Sequence, residues 1–303
     1  MENTPFATYD AAVAEVRRQQ ADCGPTPNPS CAPVLMTHER KTPVAVVWLH
    51  GYTNCPRQFE ALGRLCHQKG WNVWIPLAPH HGLADRMTDA TRLLTVEDLT
   101  RWANGAVDLA RGLGDRVVVG GLSMGGTVAA WIGQRRPEVT VALSMAPVLS
   151  PIPGPALVNR VAAFLLRLMP NRMVWWNPKL RESLEGPSQA YCRYATRGMA
   201  SILGLGFTFA RAASRGRPAA GAFRFILNDN DEALSNTLAD RIAERWKRAS
   251  VNNAAIVRIS RERKLKHDFI DPDQPYQRTD VAYPLLVDAI TEALDASDDR
   301  SAS

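Results

Sequence analysis

The sequence predicts an α/β fold, a mainly parallel sheet with helices on both faces. Three observations carry that reading. Short apolar, β-branched runs alternate with longer helix-patterned segments through most of the chain. At Val117-Val118-Val119-Gly120-Gly121-Leu122-Ser123-Met124-Gly125-Gly126 a strand pattern passes into a helix pattern through a glycine-rich turn. The composition, 46% hydrophobic and 22% charged over 303 residues, suits a globular chain that buries one large core with an insertion, or two small domains.

The elements follow in order. Residues 9–20 have amphipathic helical spacing, and Cys23 to Pro33 is a Pro-rich linker. Strands are expected around Pro33–Thr37 and Val44–Leu49, joined by the charged turn His38-Glu39-Arg40-Lys41. The loop His50-Gly51-Tyr52-Thr53-Asn54-Cys55-Pro56 leads to a helix at 57–69, a strand at 71–75 and a loop with His80-His81-Gly82. Thr95-Val96-Glu97-Asp98 has the look of a capping box and opens a helix to Leu113. Strand 116–120, helix 124–135 and strand 139–145 come next.

The rhythm breaks at Pro147, and Pro151, Pro153 and Pro155 mark an exit from the core. From 151 to 220 the pattern is helical with no convincing strand. Residues 156–169 are apolar apart from Asn159, Arg160 and Arg167, a length that reads as a buried or interfacial helix and not a membrane span. Met173 to Trp176 adds an aromatic cluster, and Gly216-Arg217-Pro218 closes the insertion. Strand 222–227, helix 232–248, strand 254–259 and helix 282–294 return to the core pattern. The organisation expected is therefore an N-terminal helix and linker (1–32), a core in two pieces (33–150 and 221–296), a helical lid (151–220) and a disordered acidic tail (297–303).

Composition excludes several functions. The net charge is +6, but the arginines are dispersed, so nucleic acid is not an expected partner. The N-terminus has neither the basic nor the apolar stretch of a secretory signal, and the expected location is cytoplasmic. Five cysteines in no framework spacing read as free thiols, with Cys66 facing the core; Cys23 and Cys31, either side of the Pro-rich loop, could be bridged in an oxidising compartment. The pair His80-His81 lacks metal-ligand spacing, so no metal is expected.

The chemistry-bearing residues sit where the strands end. G-L-S-M-G between a strand and a helix forces a tight turn that lifts the Ser123 hydroxyl above the sheet edge, with Gly121 and Gly125 where the two backbones cross. A phosphate-loop reading fails because no Lys-Ser/Thr pair follows the glycines. A serine nucleophile needs a base, and an acid to orient that base. Of six histidines only His267 lies beyond the turn, in a loop after a late strand. The acid is expected after strand 222–227; Asp231 is preferred because Leu234, three residues on, begins the next helix and anchors the turn, with Asp229 the alternative. Two backbone N–H groups would receive developing negative charge: Met124, after the nucleophile, and Tyr52, after His50-Gly51. His50 reads as a residue that packs this loop, and His80-His81 as a loop bordering the site.

On H-G-Y-T-N-C-P, A-P-H-H-G, G-L-S-M-G-G, D-E-A-L and the late H-D-F, residues 33–295 resemble the bacterial carboxylesterase and monoacylglycerol-lipase branch of the α/β-hydrolase superfamily. The resemblance implies an α/β-hydrolase fold with an apolar lid after the sixth core strand and no cofactor. It implies Ser123, Asp231 and His267 as triad, and Tyr52 and Met124 as oxyanion donors. Two positions depart from the family: His80 stands where a glycine is usual, and Tyr52 where Phe is common. The activity implied is hydrolysis of short-to-medium acyl esters, monoacylglycerols among them, with a small-molecule substrate, no protein partner, and transient lipid contact through the lid. Leu165 and Trp176 are the expected acyl contacts. Thioesterase, amidase or acyltransferase chemistry on the same triad, or a non-catalytic binding module, are the alternatives.

Overall fold

Period-two alternation builds the sheet in the computed structural model, which describes residues 6, 8–22, 26–149, 161, 164–165, 168–183, 185–251 and 253–301. Along β2 (Thr42–Leu49), Val44, Val46 and Trp48 face one layer while Ala45, Val47 and Leu49 face the other, all buried. Along β4 (Gly114–Leu122), Val117 and Val119 face one layer, Val118 and Leu122 the other. A strand that is apolar on both faces belongs at the centre of a covered sheet. The seven-stranded order agrees: β1 (Val34–Met36), β3 (Asn72–Ile75), β2, β4, β5 (Val139–Met145), β8 (Ala222–Asn228), β9 (Ala254–Ile259). Among the described residues of this sheet, only β1 runs antiparallel to its neighbour.

Each face has its own apolar core. On one, α3 (Val96–Leu113), α4 (Met124–Gly133), α5 (Thr196–Ala213) and α6 (Thr237–Arg248) cover the sheet, and α1 (Tyr9–Ala21) packs on α3 through Ala12 and Val16. On the other lie α2 (Glu60–Gln68) and α7 (Thr279–Ser301). The start of α3 carries both capping-box bonds: Thr95 Oγ1 accepts from Asp98 N at 3.0 Å, and the Asp98 carboxylate accepts from Thr95 N at 3.1 Å.

Because the central strands are parallel, their C-terminal ends share one edge. That edge receives the loop after β2 (from His50), the turn after β4 (Ser123), the loop after β8 (Asp231) and the loop after β9 (His267).

Several sequence expectations need correction. The segment 151–220 follows β5, which among the described residues is the fifth strand along the chain and not the sixth, because those before Val34 form a helix and a short 3₁₀ turn. That segment does contain strands: β6 (Met173–Trp175) and β7 (Arg193–Ala195) pair antiparallel. Strands of three residues are too short to show a period-two pattern, and each pairs with a partner beyond an irregular loop. The expected helix over 156–169 falls partly outside the described residues; Val161, Phe164, Leu165 and Leu168 within it are exposed. Helix α6 starts at Thr237, not at 232, and α7 continues to Ser301, past Leu294, because no glycine or proline follows Pro284 to end it. Of the tail expected to be disordered (297–303), residues 297–301 thus belong to α7, and residues 302–303 lie outside the described residues.

The cysteines are not all free. Cys31 and Cys55 form a disulfide, Cα to Cα 5.3 Å, tying the 3₁₀ turn Pro29–Cys31 to the loop after β2. Cys66 and Cys192 are free and buried, and Cys23 lies outside the described residues. No helix among the described residues is long and apolar enough to cross a membrane.

Candidate active site

The turn from β4 into α4 is built on close backbone contact. A methyl group at Gly125 would overlap the Leu49 carbonyl, and one at Gly121 would overlap the backbone of Gly125. Ser123, between them, takes φ 59° and ψ −110°, a conformation that costs a non-glycine residue about 1–3 kcal/mol. The turn is pinned by its own peptide groups. Ser123 N donates to Met145 O at 2.9 Å, and Ser123 O accepts from Thr127 N at 2.9 Å and Thr127 Oγ1 at 3.0 Å.

Asp231 and His267 meet across the same edge. Asp231 Oδ2 lies 2.7 Å from His267 Nδ1, and the Asp231 side chain is fully buried. Its Oδ1 accepts from Ala233 N at 2.8 Å and Leu234 N at 3.2 Å, so an Asx turn aims the carboxylate. Leu234 therefore belongs to that turn and not to a helix. The His267 loop is tethered to the end of β8: Asn228 Nδ2 donates to Leu265 O at 2.9 Å and Lys266 O at 3.1 Å, and Asn230 Nδ2 donates to Leu265 O at 3.0 Å. Burial pushes the imidazole pKa down, but the hydrogen bond and charge of Asp231, with the charge of Asp268, outweigh it, and the result lies above the ordinary 6.5. Asp229 is turned elsewhere, with Oδ1 2.6 Å from Arg258 on β9.

The loop after β2 is held by two neutral histidines. His50 Nε2 accepts from Ala78 N at 3.0 Å, and His81 Nε2 accepts from Thr53 N at 3.3 Å. A backbone N–H can only donate, so each ring carries its proton on Nδ1, which faces Gly51 O at 2.9 Å in His50 and Pro79 O at 2.8 Å in His81. Burial pushes His50 down to about 3 and His81 down to about 4, which keeps both neutral. Gly51 O accepts also from Asn54 N at 3.2 Å. With that carbonyl engaged on one side, the N–H of the same peptide, Tyr52 N–H, points to the other. Neither it nor Met124 N–H has a hydrogen-bond partner among the described residues.

The two positions that depart from the resemblance have local accounts. His80 takes φ 64°, the left-handed region that favours the glycine usual there. The Tyr52 hydroxyl donates to Ala195 O at 2.9 Å and sits where any side chain at Gly198 would collide with it.

Ser123 and His267 line one cavity of about 230 Å³, together with Gly51, Tyr52, Gln58 and Trp176. Trp176 Nε1 donates to Thr53 Oγ1 at 2.9 Å, joining the 151–220 segment to the loop after β2. Leu165, the other expected acyl contact, is not in the lining; it is 50% exposed, beside the exposed Phe164 and Leu168. Sequence reading missed Gln58, Asn54 and Asp268. A lone Gln or Asn carries no spacing signal, and Asp268 stood out only as a neighbour of His267.

The chain matches the Alpha/beta hydrolase family over residues 46–279. No curated protein matches it. Among solved structures, it is similar to one from the metagenome-derived lipolytic enzymes LipS and LipT: 16% identity, 87% of this chain and 98% of that chain, TM-score 0.65. It is similar to the monoacylglycerol lipase of Paleococcus ferrophilus at 15% identity, over 86% of this chain and 98% of that chain, TM-score 0.61. A soluble variant of the Saccharomyces cerevisiae monoglyceride lipase, in complex with a substrate analog, aligns at 11% identity over 88% of this chain and 91% of that chain, TM-score 0.65.

Proposed function

The chain belongs to the Alpha/beta hydrolase family, and within it we propose a serine hydrolase that cleaves carboxylic esters through an acyl-enzyme. The observation that carries this reading is the 2.7 Å contact of Asp231 with His267, beside a cavity that the strained Ser123 also lines.

In the proposed reaction, Ser123 Oγ attacks the ester carbonyl carbon while His267 Nε2 accepts its proton. The carbonyl electrons move onto oxygen, where the N–H groups of Tyr52 and Met124 receive the charge. The C–O bond to the alcohol breaks, His267 protonates the leaving alcohol, and an acyl-Ser123 remains. Water then attacks, giving its proton to His267, and the acid leaves as Ser123 recovers its own. Asp231 keeps the proton on Nδ1 and stabilises the imidazolium. Every group required belongs to the chain, so this route uses no cofactor.

The segment 151–220 acts in this reading as the lid. Trp176, Pro187, Ala190 and Tyr191 belong to it and line the cavity, which supports that role. A cavity of about 230 Å³ with this apolar wall favours short-to-medium acyl esters, monoacylglycerols in that range included.

The test combines labelling with a substrate series. A fluorophosphonate is expected to label Ser123 alone, and glycerol and aryl esters of rising acyl length are expected to turn over, with Ser123→Ala as blank. Each added methylene should raise specificity until the cavity is full, by about 0.8 kcal/mol. Label on another serine, or turnover that survives Ser123→Ala, would sink the assignment. A preference for thioesters or amides over matched esters would move the activity to another acyl transfer.

A further inference from the structure

Gln58 sits in the 3₁₀ turn Pro56–Phe59 and is 2% exposed, yet it borders the cavity that holds Ser123 and His267. Its amide is used at both ends. Oε1 accepts from Gly51 N at 2.7 Å, and Nε2 donates to Asp268 Oδ2 at 2.8 Å. The chemistry fixes which end is which: a backbone N–H needs an acceptor, and a carboxylate needs a donor, so a flipped amide would lose both bonds. Gly51 is seven residues before Gln58, on the loop that carries the Tyr52 N–H. Asp268 is 210 residues after it, next to His267.

Asp268 is itself a node. Its Oδ2 also accepts from Gln274 Nε2 at 2.9 Å, and its Oδ1 accepts from Ile270 N at 3.3 Å and Asp271 N at 3.2 Å. Four N–H donors therefore converge on one carboxylate, and three of them come from the loop that follows His267. Asp268 organises that loop, and Gln58 ties the organised loop to the one after β2.

We propose that Gln58, acting through Asp268, is a positioning residue that holds the oxyanion loop and the base loop in register. The inference rests on the ester-hydrolase reading above. The proposed reaction places two demands on distant parts of the chain: donors at the developing oxyanion, and a base at the serine proton. A single buried amide bonded to both loops removes their relative motion. Misplacement of a catalytic group by about 1 Å costs on the order of 100-fold in rate. A group that acts this way affects kcat, since the two loops must agree in the transition state, and leaves KM nearly unchanged.

The experiment is a swap. Gln58→Met keeps volume and removes both bonds; kcat should fall on the order of 10- to 100-fold with KM changed little. Gln58→Glu keeps the acceptor for Gly51 N–H but sets a carboxylate against Asp268; it should be at least as damaging. Adding Asp268→Asn to Gln58→Glu reverses the direction of the bond between the two side chains, with Gln274 free to present its own Oε1. That double variant should recover most of the kcat lost by Gln58→Glu, a rescue that general damage to folding would not produce. Circular dichroism and melting temperature identify any variant that fails to fold. Gln58→Met with kcat within twofold of the parent overturns the inference, and so does a folded double variant no better than Gln58→Glu. If the parent shows no turnover sensitive to Ser123→Ala, the ester-hydrolase reading falls and this inference with it. If that turnover is present and the Gln58 variants match the parent, this inference falls alone.

Discussion

Replacing Asp231 with Asn should reverse the tautomer of His267, and the geometry says why. Asp231 Oδ1 is committed to two donors, Ala233 N–H at 2.8 Å and Leu234 N–H at 3.2 Å. Those groups cannot accept a hydrogen bond, so the Asn carbonyl must take the Oδ1 place and its NH₂ must face His267. An NH₂ at that point turns Nδ1 into an acceptor and moves the imidazole proton to Nε2, where the proposed reaction needs a lone pair. The lost charge-assisted bond is short, 2.7 Å, and its carboxylate is fully buried, so solvent cannot substitute for it. The expected loss in kcat is up to about 10⁴-fold, equivalent to roughly 5 kcal/mol of barrier. Asp229→Asn is the matched control. Asp229 pairs with Arg258 at a site a third exposed, so the change should cost little stability and leave kcat within about twofold. The assay is steady-state hydrolysis of a short aryl ester by both folded variants, with Ser123→Ala as blank. If Asp231→Asn retains a tenth of the parent kcat, or if Asp229→Asn proves the more damaging, the tautomer argument is wrong.

Three further outcomes are expected. In the proposed reaction the base must be neutral to act, and the His267 pKa is raised, so the acid limb of kcat/KM should lie above pH 6.5; the same pair stabilises the fold fully below the unfolded pKa and loses that contribution as pH rises through the folded one, and a limb below 6.5 would contradict both statements. Reduction of the Cys31–Cys55 bridge, which closes a sequence separation of 24, should lower unfolding stability by roughly 2–4 kcal/mol in a urea titration; a midpoint unchanged by dithiothreitol in the parent would refute a structural role. Asp271 is fully buried; burial first, then the charge of Asp268, raise its pKa from 3.8 to about 7, so folding is progressively penalised as pH climbs from the unfolded value toward 7, and Asp271→Asn should raise the melting temperature at pH 8 but not at pH 4, an equal gain at both pH values excluding this cause.

The candidate site was legible wherever a short run of sequence carries its own geometry. The glycines of the turn at Ser123 could be read because backbone crossing forbids side chains there, and the contacts of Gly121 and Gly125 bear this out. The meeting of Asp231 with His267 could be anticipated from chain order and strand ends; Leu234 anchors the turn as expected, but within an Asx turn and not at a helix start, because the helix begins only at Thr237. Hydrophobicity alone does not say which way a helical residue faces, so Leu165 stays exposed while Trp176, on the same segment, reaches the cavity.

By itself the sequence determined the β-α alternation, the two-faced burial of the central strands and the strained turn at Ser123. Each depends on neighbours a few residues apart, where steric exclusion and apolar periodicity act directly. Tertiary structure alone decided the bridge of Cys31 to Cys55, the pairing of β6 with β7, the tautomers of His50 and His81, and the span of Gln58 from Gly51 to Asp268. These join segments whose separation along the chain carries no pattern. They meet because parallel strands deliver all their C-terminal ends to one edge of the sheet, and there a buried polar group must find whatever partner the neighbouring loop presents.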